Sequence, residues 1–136
     1  LSLTFMNRIY IRSEFKTPHV NFDPEKGLIE MKGKSIPEHA KIFYSHLIEW
    51  IKEYSQNPQA TTTVNLQLEY VNTDTKRYLL DMVELFGEMH KNGKEINVNW
   101  YYEEDDEDMY EAGEDYEAIV TVPFEKISIE SGDPII

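Results

Sequence analysis

From Thr61 to Val71 the chain reads TTTVNLQLEYV, with Val64, Leu66, Leu68 and Tyr70 alternating against mostly polar neighbours. The period then changes without a linker: Leu79, Met82, Val83, Phe86 and Met89 or His90 recur at three- and four-residue steps, up to Asn92-Gly93. Strict alternation marks a half-buried strand, and the longer step marks an amphipathic helix. Between them stand Asn72-Thr73-Asp74-Thr75, four consecutive cap-forming residues. Asn92-Gly93 closes the helix as a left-handed C-cap. Glu95 to Tyr101 (EINVNWY) alternates again and reads as a further strand. Strands joined through a helix normally run parallel with a right-handed crossover, so this stretch commits the chain to an α/β sheet.

The preceding residues repeat the theme. His19-Val20-Asn21-Phe22 and Gly27 to Ser35 (GLIEMKGKS) read as two strands joined by the turn Asp23-Pro24-Glu25-Lys26-Gly27, a hairpin. Ser35-Ile36-Pro37-Glu38 has the form of a capping box, with Pro37 in the first turn. Ala40, Phe43, Leu47, Trp50, Ile51 and Tyr54 then form one apolar stripe that Asn57-Pro58 ends. Glu103 to Glu117 is dense in carboxylates and reads as a short acidic helix ending at Gly113. Ala118 to Val122 (AIVTV) reads as a last strand stopped by Pro123, and Glu125 to Ile136 as a tail. The expected order is β-β-α-β-α-β-α-β: a mixed, mostly parallel sheet with an antiparallel edge and helices packed on it. One domain is expected over 6–136, with Met6 as the native start and Leu1 to Phe5 set aside.

Composition narrows the function. A net charge of −13 argues against nucleic-acid binding, which needs a basic footprint. It also disfavours an anionic membrane surface. The chain lacks cysteine, so it has no disulfide, thiolate metal site or thiol nucleophile. No apolar run approaches the roughly 18 residues of a membrane span, and the N-terminal residues do not form a signal peptide. A cytoplasmic protein is expected. His19, His39, His46 and His90 show no metal-ligand spacing, and Asp105-Asp106-Glu107-Asp108 lacks the pattern of a calcium loop. No metal and no cofactor is expected. Walker A, GxGxxG and nucleophile-elbow motifs are absent.

In an open α/β sheet, function gathers beyond the carboxyl ends of the strands. Gly33 to Glu38, Val71 to Lys76 and Trp100 to Glu103 meet there. Two of these segments begin helices, whose unpaired N–H groups and positive dipole end suit a phosphate. The bland reading of Asn72-Thr73-Asp74-Thr75 is a well-capped helix start. The functional reading is a phosphoacceptor at Thr73, with Thr75 as a second hydroxyl, Lys76 and Arg77 as nearby cations and Asp74 as an opposing charge.

The ordered set Gly33-Lys34-Ser35-Ile36-Pro37-Glu38, the helix Phe43 to Tyr54 with Trp50, Leu68-Glu69-Tyr70-Val71-Asn72-Thr73 and Val98-Asn99-Trp100-Tyr101-Tyr102 resembles the SiaC family of bacterial regulatory phosphoproteins. The likeness runs from about Thr17 to Phe124. It implies a fold similar to STAS domains, the fold of anti-sigma-factor antagonists. It implies phosphorylation on a threonine by a dedicated protein kinase, removal by a PP2C-type phosphatase, and activation of a diguanylate cyclase by the unphosphorylated form. Signalling would then pass to cyclic di-GMP and biofilm control. The threonine of the family's N-T pair falls on Thr73. Asp74 departs from the small hydroxyl residue the family tends to carry there, and Thr75 is the fallback acceptor.

The reading is therefore a non-enzymatic, STAS-like adaptor switched at Thr73. Its partner surface is expected at Ser35, Pro37, Glu38, Asn72, Thr73, Asp74 and Thr75, with Trp100, Tyr101 and Tyr102 nearby. One rival is a small nucleotide-binding or enzymatic domain using Glu38, Asp74 or Glu103 in the same crevice. Another is a constitutive interaction module insensitive to a kinase.

Overall fold

A computed structural model describes residues 6–130. Nine elements follow in order: β1 (Ile9–Ile11), β2 (His19–Asp23), β3 (Leu28–Ser35), α1 (Ala40–Tyr54), β4 (Thr61–Val71), α2 (Thr73–Lys91), β5 (Glu95–Glu103), α3 (Glu107–Ile119) and β6 (Phe124–Ile129). The six strands form one sheet in sequential order. β1, β2 and β3 pair antiparallel, and β3 through β6 pair parallel. Each parallel step advances in the same direction, so right-handed crossovers place all three helices on one face of the sheet.

Alternation decides what lies beneath those helices. Phe22, Ile29, Met31, Val64, Leu66, Leu68, Ile96, Val98 and Trp100 are buried toward them. Leu47 and Ile51 of α1 and Leu79, Met82, Val83 and Phe86 of α2 are buried from above. Each such side chain stabilises the fold by roughly 1.5–3 kcal/mol. The hairpin turn needs Gly27: its φ is +64°, and a Cβ there would lie 2.5 Å from the Thr61 carbonyl oxygen.

Several expectations are corrected. β1 is an additional edge strand before the hairpin; three residues are too few to show a period. Ser35-Ile36-Pro37-Glu38 does not cap α1. Ser35 ends β3, and the helix begins at Ala40 behind His39, which makes no side-chain capping bond. On α1, Tyr44 is buried and Phe43 only partly so.

α3 does not stop at Gly113 but runs to Ile119. Asp106 caps it by accepting from the Met109 amide at 3.1 Å, and Glu107 and Asp108 sit at the positive end of its dipole. Gly113 faces the Trp100 ring, where an added Cβ would meet Cδ1 at 2.6 Å; this glycine sets close packing rather than termination. Ala118 to Val122 is accordingly not a strand. Pro123 precedes the last strand instead of ending it, and Glu125 through Ile129 of the expected tail belong to β6. The remainder of that tail from 131 onward, and Leu1 to Phe5, lie outside the described residues. The extra strand and the displaced last one leave the expected class intact: a mixed, mostly parallel sheet with helices on it.

Candidate functional site

The junction of β4 with α2 is built around Asn72. Its backbone is extended, and its side-chain oxygen accepts from the Thr75 amide at 2.9 Å, which caps α2. Its side-chain nitrogen donates to the Pro37 carbonyl at 3.3 Å, and its own amide donates to the Ser35 carbonyl at 3.1 Å. One residue thus caps a helix and ties the end of β4 to the chain leaving β3.

Beneath it lies a buried hydroxyl network. Thr75 Oγ1 donates to the Ser35 carbonyl at 3.0 Å and lies 2.9 Å from Ser35 Oγ, which is 2.6 Å from the Tyr44 hydroxyl. Ser35, Tyr44 and Thr75 are all fully buried. Burial pushes the Tyr44 hydroxyl up to about 12, against the opposing pull of its bonds to Ser35 and Thr75.

Thr73 and Asp74 are exposed, on the first turn of α2. By helix geometry their amides have no carbonyl ahead of them to bond. Asp74 and Arg77 share a shallow groove of about 460 Å³ with Glu38, His39, Lys41 and Ile42 at the start of α1. Ile42 is 68% exposed there, a large apolar side chain in open solvent. Arg77 lies over the Tyr78 ring, and Glu38 pairs with Lys16, whose hydrogen bond and charge hold the carboxyl below its usual range.

Of the residues singled out from the sequence, Thr73, Asp74 and Glu38 are exposed and Asn72 partly so. Ser35, Pro37, Thr75 and Trp100 are buried. The four buried ones hold the surface in place without forming it. Trp100 points into the helix layer, where its indole N–H donates to the Met109 carbonyl at 2.8 Å and its ring meets Tyr116 edge-on. Tyr116 in turn donates to the Lys76 carbonyl in the first turn of α2 at 2.9 Å. β5 therefore reaches the Thr73 turn through α3. Tyr101 lies on the opposite face, its hydroxyl raised by burial and by the charges of Glu125 and Glu30. Tyr102 packs edge-on against Tyr110.

Tyr44, Tyr116 and Ile42 escaped the sequence reading. Tyr44 lies next to Phe43 in a stripe either could complete, so periodicity gave no preference. Tyr116 and Ile42 take their roles from neighbours distant in the chain. Among the described residues, no three His, Asp or Glu side chains converge on a metal position. Glu103, Asp105, Asp106, Glu107 and Asp108 share an open acidic cleft with Tyr70.

With this geometry in hand, comparison with known proteins is specific. The profile of the SiaC family regulatory phosphoproteins matches residues 11–129. An uncharacterized protein of Pseudomonas aeruginosa strain UCBPP-PA14 is 26% identical over 119 residues, covering 88% of this chain and 94% of that protein. The crystal structure of apo-SiaC from Pseudomonas aeruginosa superimposes with a TM-score of 0.82 at 25% identity, over 90% of this chain and 99% of that one. The diguanylate cyclase SiaD in complex with its activator SiaC, from the same organism, gives a TM-score of 0.84 at 25% identity, over 89% and 99% of the two chains.

Proposed function

Because this chain belongs to the SiaC family of regulatory phosphoproteins, we propose that it is an adaptor phosphorylated on Thr73, in a pathway run by a protein kinase and a PP2C-type phosphatase. Its unphosphorylated form binds and activates a diguanylate cyclase, by analogy with Pseudomonas aeruginosa SiaC, the activator of SiaD. It works without catalysis of its own, as one cytoplasmic unit over residues 6–136, and feeds cyclic di-GMP signalling. No described helix is long and apolar enough to cross a membrane, which fits this reading.

The observation that carries the assignment is the contrast between two hydroxyls on one turn. Thr73 is exposed at the start of α2, whereas Thr75 is sealed under Ser35 and Tyr44. A kinase reaches the first without disturbing the fold. A phosphoryl group on Thr73 adds a charge of about −1.5 to −2. The free amides of the first turn and the cations Lys76 and Arg77 accommodate it, against the like charge of Asp74.

The surface this would switch is the groove beside Ile42. A docking partner must strip water from that apolar side chain and its neighbours. A phosphoryl group at the rim resists desolvation, so the modified form releases the partner. The test is mass analysis after incubation with ATP and a candidate cognate protein kinase shown to be active. One added phosphoryl group on Thr73, absent from Thr73→Ala, is the expected result. Uptake at the wild-type level by Thr73→Ala would overturn the assignment.

A further inference from the structure

Lys76, Arg77 and Leu80 follow Thr73 by three, four and seven positions, so the four share one stripe of α2. That stripe is turned toward α3: its last three residues line a groove of about 590 Å³ between the two helices. Arg77 stands on the ridge, since it also borders the groove beside Ile42. The opposite wall is a stripe of α3 that carries Asp108, Glu111 and Asp115, all exposed. Phosphorylation at Thr73 alone gives this acidic stripe no role.

Two cations and three carboxylates therefore front one groove. Among the described residues none of the five is closed in an ion pair, and Arg77 rests over the Tyr78 ring instead. The cations are biased by the field of α3 and not fixed by contact, so a stronger anion can draw them. A phosphoryl group on Thr73 is such an anion. Helix positions three and four apart have their Cβ atoms about 5–6 Å from each other, which puts both cations within its reach. It carries a charge of about −1.5 to −2 and three acceptor oxygens, more than a carboxylate offers.

We propose that the acidic stripe of α3 and a phosphoryl group on Thr73 compete for Lys76 and Arg77. The proposal rests on the reading of Thr73 as the phosphorylated residue, and it adds what regulates the hold on that phosphate. In the unmodified protein the two cations offset the carboxylates across the groove. After modification they turn to the phosphoryl group, and the α3 wall is left uncompensated. Tyr116, donating to the Lys76 carbonyl at 2.9 Å, ties α3 to the first turn of α2 and keeps the two stripes facing each other.

Competition differs from two simpler roles for the same carboxylates. A merely solvated stripe leaves the phosphoryl group unaffected. Plain repulsion of like charges acts on it whether or not Lys76 and Arg77 are present. Competition acts through those two side chains, so the effects of removing the carboxylates and of removing the cations are coupled and do not add. The second ionisation of the phosphoryl group, ordinarily near about 6, reports the difference. Cations that turn to the phosphate favour its dianion and lower that midpoint; carboxylates that draw them away raise it.

The test is a phosphorus NMR titration of the full chain with phosphothreonine installed at position 73 during synthesis. It is run at about 0.01 M ionic strength, where the screening length is about 30 Å. Asp108→Asn, Glu111→Gln and Asp115→Asn together should lower the midpoint by about 0.3–0.5 of a pH unit, the size of one surface ion pair gained. Glu111→Gln with Asp115→Asn, which leaves the start of α3 intact, should give a smaller shift of the same sign. In a chain that already carries Lys76→Gln and Arg77→Gln, the three changes should move the midpoint by less than half as much. Asp74, Glu38, His39 and Lys41 around the turn, and Tyr70, Glu103, Asp105 and Asp106 beyond the strand ends, are common to every variant and cancel in the comparison. No shift with the cations present, or an equal shift with and without them, would overturn the proposal. Because the phosphoryl group is built in, either result is independent of whether a kinase selects Thr73, which the mass analysis decides separately.

Discussion

Thr73 and Thr75 carry the same hydroxyl two positions apart, and the turn of α2 gives them opposite environments. Substituting valine separates them. Thr75→Val removes the bonds to the Ser35 carbonyl and hydroxyl from a buried site, and should destabilise the protein by about 1–3 kcal/mol. Thr73→Val touches no described bond and should stay within about 0.5 kcal/mol of the wild type. Urea denaturation midpoints distinguish the two; equal losses would mean that Thr75 is not the sealed hydroxyl. Asn72→Ala should cost about 1 kcal/mol as a lost cap, and more because the bond to the Pro37 carbonyl goes with it. The role of Asn72 as cap was legible in the sequence, since a β-to-helix switch leaves few other candidates. Its hold on Pro37 was not, because that partner lies thirty-five positions away.

At the scale of elements, α3 shows how a glycine inside an acidic run can be misread. A glycine after an apolar position usually marks a helix end, because it alone takes a left-handed backbone at no steric cost. Gly113 has no such backbone; it is small because Trp100 presses against it. Gly113→Ala should therefore destabilise the protein by about 1–3 kcal/mol through overpacking, although alanine is the better helix former. The shift in thermal midpoint, with the tryptophan fluorescence spectrum as a second readout, checks this. A stabilised variant would mean that the ring yields freely. The same local ambiguity explains the misplaced last strand. Ala118 to Val122 has strand-forming residues, yet α3 extends through Ile119 because its preceding turns are already anchored by Trp100 and Tyr116.

At the scale of the molecule, two buried phenols set the alkaline limit. Tyr44 and Tyr116 are both pushed up to about 12, first of all by burial. In the unfolded chain a tyrosine ionises near its ordinary value of 10.0. Between those values the unfolded state sheds protons that the folded state keeps, so stability falls as pH rises through this window and is fully present below it. The loss should be about 2–3 kcal/mol for Tyr44 at order of magnitude, and smaller for Tyr116, whose hydroxyl is more open to solvent and is raised in part by the charge of Tyr44. Unfolding free energies measured at pH 9 and above should fall in the wild type, and less steeply in Tyr44→Phe. A flat profile would contradict the burial of these hydroxyls.

The sequence by itself determined the strands and helices whose periods are long and unbroken, from β4 through α2 to β5, and with them a mostly parallel sheet. Those features follow from local backbone preference and from a hydrophobic pattern that only one register satisfies. It also determined that Asn72 and Thr73 stand at a helix start. Only the tertiary structure decided which of two neighbouring hydroxyls faces water, because that depends on Ser35 and Tyr44 arriving from other elements. It decided that Ser35 closes a strand instead of opening a helix, because a bonded place between Tyr44 and Thr75 outweighs a cap formed within one turn. It decided, too, that all three helices share one face of the sheet, because each parallel crossover steps the same way.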